Sequence, residues 1–275
     1  MTTYLRYVSD LHLEFIKNFK NLKQLQYLWN LNKNPEDKYY LALVGDIGNP
    51  TKPNLEEFLS LLSPQYEKIY YVPGNHEYYN LGSEERTKDS IDSLLKEICG
   101  RFPNVKYFNN QVDYIGDVKI IGTTLWTKIS DGMARRIKNN INDYHLIKKS
   151  KKEDVMTITV GDTNLWNRES LEFLKKEIPE SEKCIILTHH APLYNDDENL
   201  LYTAAPMYSD SENNEAFHND LSEMIKPPIM AWIFGHTHYV TTFEYNGVVI
   251  ATNQLGYDGE STYYTFNAET QIVIQ

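Results

Sequence analysis

The chain has 275 residues, a mass of 32.1 kDa and a formal charge of −11, which speaks against the basic surface that a long nucleic-acid duplex needs. Apolar residues make up 41% and aromatic residues 13%, enough for a large core, so a disordered chain is excluded. Its two cysteines, Cys99 and Cys184, exclude a disulfide scaffold and a thiolate zinc site.

Short apolar, β-branched or aromatic runs predict strands at Tyr4–Ser9, Tyr39–Gly45, Lys68–Val72, Cys184–Thr188 and Met230–Gly235. Helical patterns at Leu55–Leu62, Glu84–Cys99 and Asn164–Ile178 fall between them, and Pro179 stops the last. Alternating strands and helices predict an α/β layered fold. Val112–Tyr114 with Val118–Thr124, and Val240–Tyr245 with Val248–Thr252 across Asn246-Gly247, read as hairpins. Tyr263–Ile274 alternates as a further strand, and Asp131–Lys152 reads helical. The basic run Lys148–Lys152 reads first as a solvated loop or helix end, with a lip attracting anions as the sharper alternative. No run approaches the roughly 18 apolar residues of a membrane helix, and no signal peptide is evident, so the expected location is the cytoplasm.

Each predicted parallel strand ends in a polar cluster: Asp10-Leu11-His12, Asp46, Gly74-Asn75-His76, His189-His190 and Gly235-His236-Thr237-His238. In α/β sheets ligands gather beyond the carboxyl ends of the strands, so these clusters are positioned to meet. Carboxylate, imidazole and amide donors together suit a borderline divalent ion, and a carboxylate such as Asp46 has two oxygens with which to bridge two ions.

In order and spacing, Asp10-Leu-His12, Gly45-Asp46, Gly74-Asn75-His76-Glu77, His189-His190-Ala-Pro192 and Gly235-His236-Thr-His238 resemble the calcineurin-like metallophosphoesterase superfamily across residues 10–238. The resemblance implies a four-layer α/β/β/α sandwich with a dimetal site at one edge of the sheets. It implies that Asp10, His12 and His238 hold one ion, that Asn75, His189 and His236 hold the other, and that Asp46 bridges them. A metal-bridging hydroxide would then attack a phosphoester, with His76 as a non-ligand acid toward the leaving oxygen. Two ions roughly 3.5–4 Å apart clamp phosphoryl oxygens and lower the pKa of a shared water. The donor set suits manganese first, with iron, zinc, cobalt or nickel acceptable.

No Asp or Arg follows within Asp46-Ile47-Gly48-Asn49-Pro50, which departs from the protein phosphatase pattern and points to the bacterial-type phosphodiesterase branch. The expected substrate is a small or nucleotide-like anionic phosphoester; a phosphoprotein phosphatase, a nuclease or a non-catalytic scaffold are the alternatives. The chain reads as one domain, 1–275, with a helical excursion or lid at about 126–165 carrying Arg135, Arg136, Tyr144 and His145. Arg135, Arg136, His190, Tyr78 and Tyr257 are candidate substrate contacts, whereas His145 and His218 fall outside the motifs and read as structural residues.

Overall fold

A computed structural model describes residues 1–82, 85–151 and 154–275. Four parallel strands open the fold: β1 (Thr3–Val8), β2 (Lys38–Val44), β3 (Lys68–Val72) and β4 (Val105–Tyr107). Helices α1 (Lys23–Trp29), α2 (Pro53–Leu62) and α3 (Lys88–Gly100) connect them. The second sheet draws on β5 (Gln111–Ile115), β6 (Val118–Thr123), β9 (Cys184–Thr188), β10 (Ile229–Phe234), β11 (Thr242–Tyr245) and β12 (Val248–Thr252), in the order β11-β12-β10-β9-β6-β5. Between β6 and β9 run α4 (Asp131–Asn140), α5 (Asp143–Leu146), the hairpin β7 (Lys148–Lys151) with β8 (Asp154–Thr157), and α6 (Val160–Glu177). After α7 (Ser261–Thr265), β13 (Gln271–Val273) returns to pair antiparallel with β1.

Side-chain alternation along the strands builds the layers. In β2, Ala42 and Val44 face the second sheet and join Leu5, Tyr70 and Val72 against Ile120, Ile185, Leu187 and Ile233. Leu41 and Leu43 face the other way, onto Leu55, Phe58, Leu59, Ile91 and Leu95 of α2 and α3. On the far side, Ile121, Ile186, Trp232 and Ile250 pack against Leu174 of α6. The result is a helix–sheet–sheet–helix stack, the four-layer sandwich expected from the motifs.

Three local expectations are corrected. The span Tyr263–Ile274 is not one strand: Phe266 N–H closes a helical turn on Thr262 O, and only Gln271–Val273 pairs with β1. The helical reading of Asp131–Lys152 holds only to Leu146. Beyond it Lys149 pairs with Met156 in a hairpin, because Lys149 is drawn to Asp162, which caps α6, and Lys148 to Glu85. Those pairs keep both lysines away from the strand-end cavity; Lys152 lies outside the described residues. The third helix starts at Lys88, where Thr87 accepts the Ser90 N–H, while Glu84, the expected start, lies outside the described residues.

Candidate metal centre

The polar clusters follow the carboxyl ends of β1, β2, β3, β9 and β10, at the edge where the two sheets meet. Their backbones are unusual. Asp10, His12, Asp46, His236 and His238 have φ of 54°, 45°, 53°, 72° and 47°, in the left-handed region that costs an ordinary L-residue roughly 1–2 kcal/mol. Such conformations persist only where the surroundings over-determine them.

Glu77 supplies much of that determination. Its buried carboxylate accepts N–H groups of Asp46 (3.0 Å), Ile47 (2.8 Å) and Gly74 (2.7 Å), and the Tyr71 hydroxyl (2.8 Å). It ties the loop after β2 to the loop after β3. The Asp46 Oδ1 in turn accepts the His76 N–H at 2.9 Å, and Asp10 accepts the His236 N–H at 3.0 Å. Gln254 Oε1 accepts the His238 N–H at 2.6 Å. Gly74 is glycine because a Cβ there would lie 2.2 Å from Asp46 Oδ1. Gly45, at φ 91°, would drive a Cβ into the His189 ring at 2.1 Å.

Three groups of candidate ligand atoms lie within 4.8 Å of one another: Asp10, His12 and His238; His12, Asp46 and His76; and Asp46, His189 and His236. Asp46 turns its two oxygens in two directions, Oδ1 to His189 Nε2 at 3.4 Å and Oδ2 to His12 Nε2 at 3.9 Å. The Nε2 atoms of His12 and His238 face each other at 3.1 Å, and His238 Nε2 lies 3.5 Å from Asp10 Oδ1. Asn75 Oδ1 lies 2.9 Å from His189 Nε2, and its amide nitrogen donates to Asp143 Oδ1 at 2.8 Å. Asp143, in α5, thereby keeps the Asn75 oxygen turned inward.

The outward ring nitrogens are occupied. His189 Nδ1 is bonded to Val44 O (3.1 Å), His238 Nδ1 to Glu260 Oε2 (2.6 Å) and His12 Nδ1 to Glu14 Oε1 (3.3 Å). Each ring therefore points Nε2 inward, the arrangement in which an outer acceptor fixes the tautomer of a metal-binding imidazole. Buried carboxylate, imidazole and amide donors converging this way fit divalent ions.

The electrostatics separate the donors: at His238 burial is outweighed by the hydrogen bonds to Asp10 and Glu260, which raise the ring to about 9. Burial, with the carboxylates Glu77 and Asp10 nearby, pushes the Asp46 carboxyl well above its usual range. Burial opposes ionisation of Asp10 too, but the hydrogen bond and charge of His238 outweigh it and hold the carboxyl at about 2. Burial lowers His12 and His189 to about 4, so their rings are neutral, each with a lone pair on Nε2. For Glu14, burial is outweighed by His12 and His76, which hold it at about 2.

The remaining candidates divide by position. His76 lines a cavity of about 400 Å³ beside the cluster, together with Tyr79, Tyr257 and the rim residues Asn140, Ile141 and Asn142. Its ring stacks on Tyr79 (4.1 Å), its Nε2 lies 3.3 Å from the Tyr257 hydroxyl, and its Nδ1 lies 3.5 Å from Glu14 Oε1. Tyr78 does not face the cavity: it is 1% exposed, packs on Trp126 and donates to Asp92, so the reading of it as a substrate contact gives way to core packing. His190 is buried behind the cluster, bonded to Thr124 O and packed between Trp126 and His236. Arg135 and Arg136 sit exposed on α4, outside the cavity lining; Arg136 pairs with Glu212. Exposed His145 bonds Asn139 O, and both cysteines are free and buried.

Four groups that matter here escape the motifs. Glu14, Asp143 and Glu260 orient His12, Asn75 and His238. His218, read as structural, lines the cavity. Glu14 had a local signal, one step beyond His12-Leu13 on a short turn, and Asp143 a softer one, as Asp143-Tyr144 resembles a segment of the phosphohydrolase branch.

The calcineurin-like phosphoesterase model matches residues 6–240. The chain belongs to that family. It is a metal-dependent phosphoesterase. Uncharacterized protein L509 of Acanthamoeba polyphaga mimivirus is 52% identical over 257 residues, 93% of this chain and 92% of that one. Among solved structures, phosphopantetheinyl hydrolase from Mycobacterium tuberculosis has a TM-score of 0.68 at 17% identity, over 99% of this chain and 96% of that one. A dimetal phosphatase from Danio rerio has a TM-score of 0.51 at 13% identity, over 92% and 87%. Both share the four-layer fold. Among the described residues no helix is long and apolar enough to cross a membrane.

Proposed function

We propose that this phosphoesterase hydrolyses small or nucleotide-like phosphoesters at a centre of two divalent ions. The observation that carries the reading is Asp46, whose two oxygens turn to His189 and His12 in two ligand groups that it shares. In this reading Asp10, His12 and His238 hold one ion, Asn75, His189 and His236 hold the other, and Asp46 reaches both. Manganese is the first choice in vitro, with iron, zinc, cobalt and nickel compatible with the same donors. Two such ions, when bound, supply positive charge for the phosphoryl oxygens and acidify a water for in-line attack.

The chain's own residues orient and move protons. Glu14, Glu260 and the Val44 carbonyl hold the rings of His12, His238 and His189 with Nε2 inward. His76 is not a ligand in this reading. It donates a proton from Nε2 to the leaving oxygen, a role that imidazole side chains commonly take in acid–base catalysis. Glu14 Oε1, 3.5 Å from His76 Nδ1, is placed to accept the proton on that nitrogen as the site tightens around substrate. The 126–165 segment acts as a cover, giving Asn140–Asn142 to the rim and Asp143 to Asn75.

The test is hydrolysis of bis-p-nitrophenyl phosphate against p-nitrophenyl phosphate, with Mn²⁺ and with chelator. The expected result is chelator-sensitive turnover that favours the diester. Turnover indifferent to chelator, or none from protein carrying two ions, contradicts the reading. His76→Asn is expected to keep both ions and lose most turnover; loss of an ion in that variant contradicts the non-ligand role.

A further inference from the structure

We infer that the Tyr257 hydroxyl is a catalytic group of this reaction, donating a hydrogen bond to the leaving oxygen beside His76. This rests on the phosphoesterase reading above and gives the departing atom a second partner in the protein.

The loop after β12 mounts this side chain on the metal centre. Gly256 stands at φ 72°, and a Cβ there would lie 2.6 Å from Glu260 Oε2. The Gly256 N–H donates to Asp10 O at 3.0 Å, and the Tyr257 N–H donates to Glu260 Oε2 at 2.8 Å. The same carboxylate oxygen is bonded to His238 Nδ1. The Tyr257 ring lies 4.5 Å from the His12 ring, 4.7 Å from that of His238 and 5.9 Å from that of Phe15. Backbone and ring are therefore held by the residues of the centre itself, and the hydroxyl has a set position.

That position is 3.3 Å from His76 Nε2, the nitrogen that gives up the proton in the reading above. Tyr257 is 38% exposed and lines the cavity together with His76, so a substrate can reach both. To take the proton, the leaving oxygen must come within roughly 2.6–3.2 Å of Nε2. A ring nitrogen bonds within a narrow cone in the plane of its ring, so the oxygen arrives beside the hydroxyl. A phenol keeps its proton at neutral pH and has one O–H to donate. As the ester P–O bond breaks, its electron pair passes to the leaving oxygen, which takes the proton from His76 Nε2. The attacking water forms the new P–O bond and releases its surplus proton to solvent, from which His76 is reprotonated. Tyr257 keeps its own proton throughout and hydrogen-bonds the charge that builds on the leaving oxygen. A fixed donor aimed at developing charge acts more strongly in the transition state than in the bound substrate.

The experiment compares Mn²⁺-loaded wild type, Tyr257→Phe and His76→Asn, each as the full chain, on bis-p-nitrophenyl, bis-p-chlorophenyl and diphenyl phosphate. These symmetric diesters have similar shapes, and their leaving oxygens rise in basicity in that order. Tyr257→Phe keeps the ring and removes only the hydroxyl. It is expected to lower kcat about ten- to a hundredfold for diphenyl phosphate and only about two- to threefold for bis-p-nitrophenyl phosphate, with the chlorophenyl ester between them. KM and the two bound ions, read by elemental analysis, are expected to stay as in wild type. An equal loss on all three esters, a loss confined to KM, loss of an ion, or no loss at all each overturn the inference. His76→Asn is expected to show the same order of losses; if it does and Tyr257→Phe does not, the role of His76 stands and that of Tyr257 falls. Tyr257→Leu, which also lacks the hydroxyl, carries the same test if the phenylalanine variant does not fold. Failure of metal-loaded wild type to hydrolyse any of the three overturns the phosphoesterase reading instead.

Discussion

The floor of the cavity and its outer wall are built from different material. Asp10, His12, Asp46, Asn75 and His189 of the floor are buried, His236 and His238 are partly so, and five of its residues stand in left-handed backbone. Hydrogen bonds hold its loops; Glu77 alone accepts four loop N–H groups, of Asp46, Ile47, Gly48 and Gly74, and the Tyr71 hydroxyl. The wall comes from the end of α4 and from residues 204–218, a segment of short 3₁₀ turns. It is latched by Ser130 N–H and hydroxyl to Glu215 (2.7 and 2.9 Å) and by Asn140 to Asn213 (3.3 Å). The floor leaves no freedom to its donors, as reaction chemistry requires. The wall offers polar groups that can be exchanged without disturbing the sheets, as specificity requires.

The sharpest way to break this contrast is at the floor. Asp46→Asn removes the shared negative charge, and turnover is expected to fall more than about a hundredfold together with bound metal. Parallel kinetics and elemental analysis read both; an active, metal-replete variant would refute the central place of Asp46. Glu14→Gln keeps the shape but weakens the hold on His12 and His76. It is expected to lower kcat about ten- to a hundredfold with less change in KM, and a variant altered only in KM would move Glu14 to the wall's role.

Smaller effects are expected from the wall. Asn142→Ala is predicted to change KM a few-fold, roughly the value of one neutral hydrogen bond, with kcat nearly intact. A loss in kcat as large as that of Glu14→Gln would erase the distinction between the regions. At neutral pH His218 adds no protonation cost. Burial lowers its pKa to about 4, against roughly 6.5 when unfolded. The unfolded chain therefore binds the extra proton between those values. The associated stability is full above pH 6.5 and is lost as pH falls toward 4, by at most about 3 kcal/mol. Denaturant unfolding of wild type and His218→Phe across that window should show a shallower decline in the variant, and parallel declines would contradict the buried neutral ring.

How much of this was legible in the sequence follows the same division. The sheets could be read because their strands are continuous apolar runs, each broken by a polar cluster at its carboxyl end. The floor residues could be read because strand-end loops carry them in short motifs. The groups that orient them come from distant segments: Asp143 reaches Asn75 across 68 positions, and Glu260 reaches His238 across 22. No local pattern encodes such a pairing. The wall was least legible of all. His218 lies in no motif, and it reaches the cavity as part of the 204–218 segment. Tyr78 and Tyr79 are adjacent and alike in sequence, yet the turn after β3 sends one to the core and the other to the cavity. The hairpin at Lys148 arose from pairing with β8 and from ion pairs to Glu85 and Asp162, which override the local helical pattern.

The most direct test is to titrate metal-free protein with Mn²⁺ while following both bound metal and turnover of bis-p-nitrophenyl phosphate. The account predicts that activity develops fully only as the second equivalent binds, and that Asp46→Asn fails to retain two ions. Full activity at one equivalent, or without added metal in the presence of chelator, would contradict it.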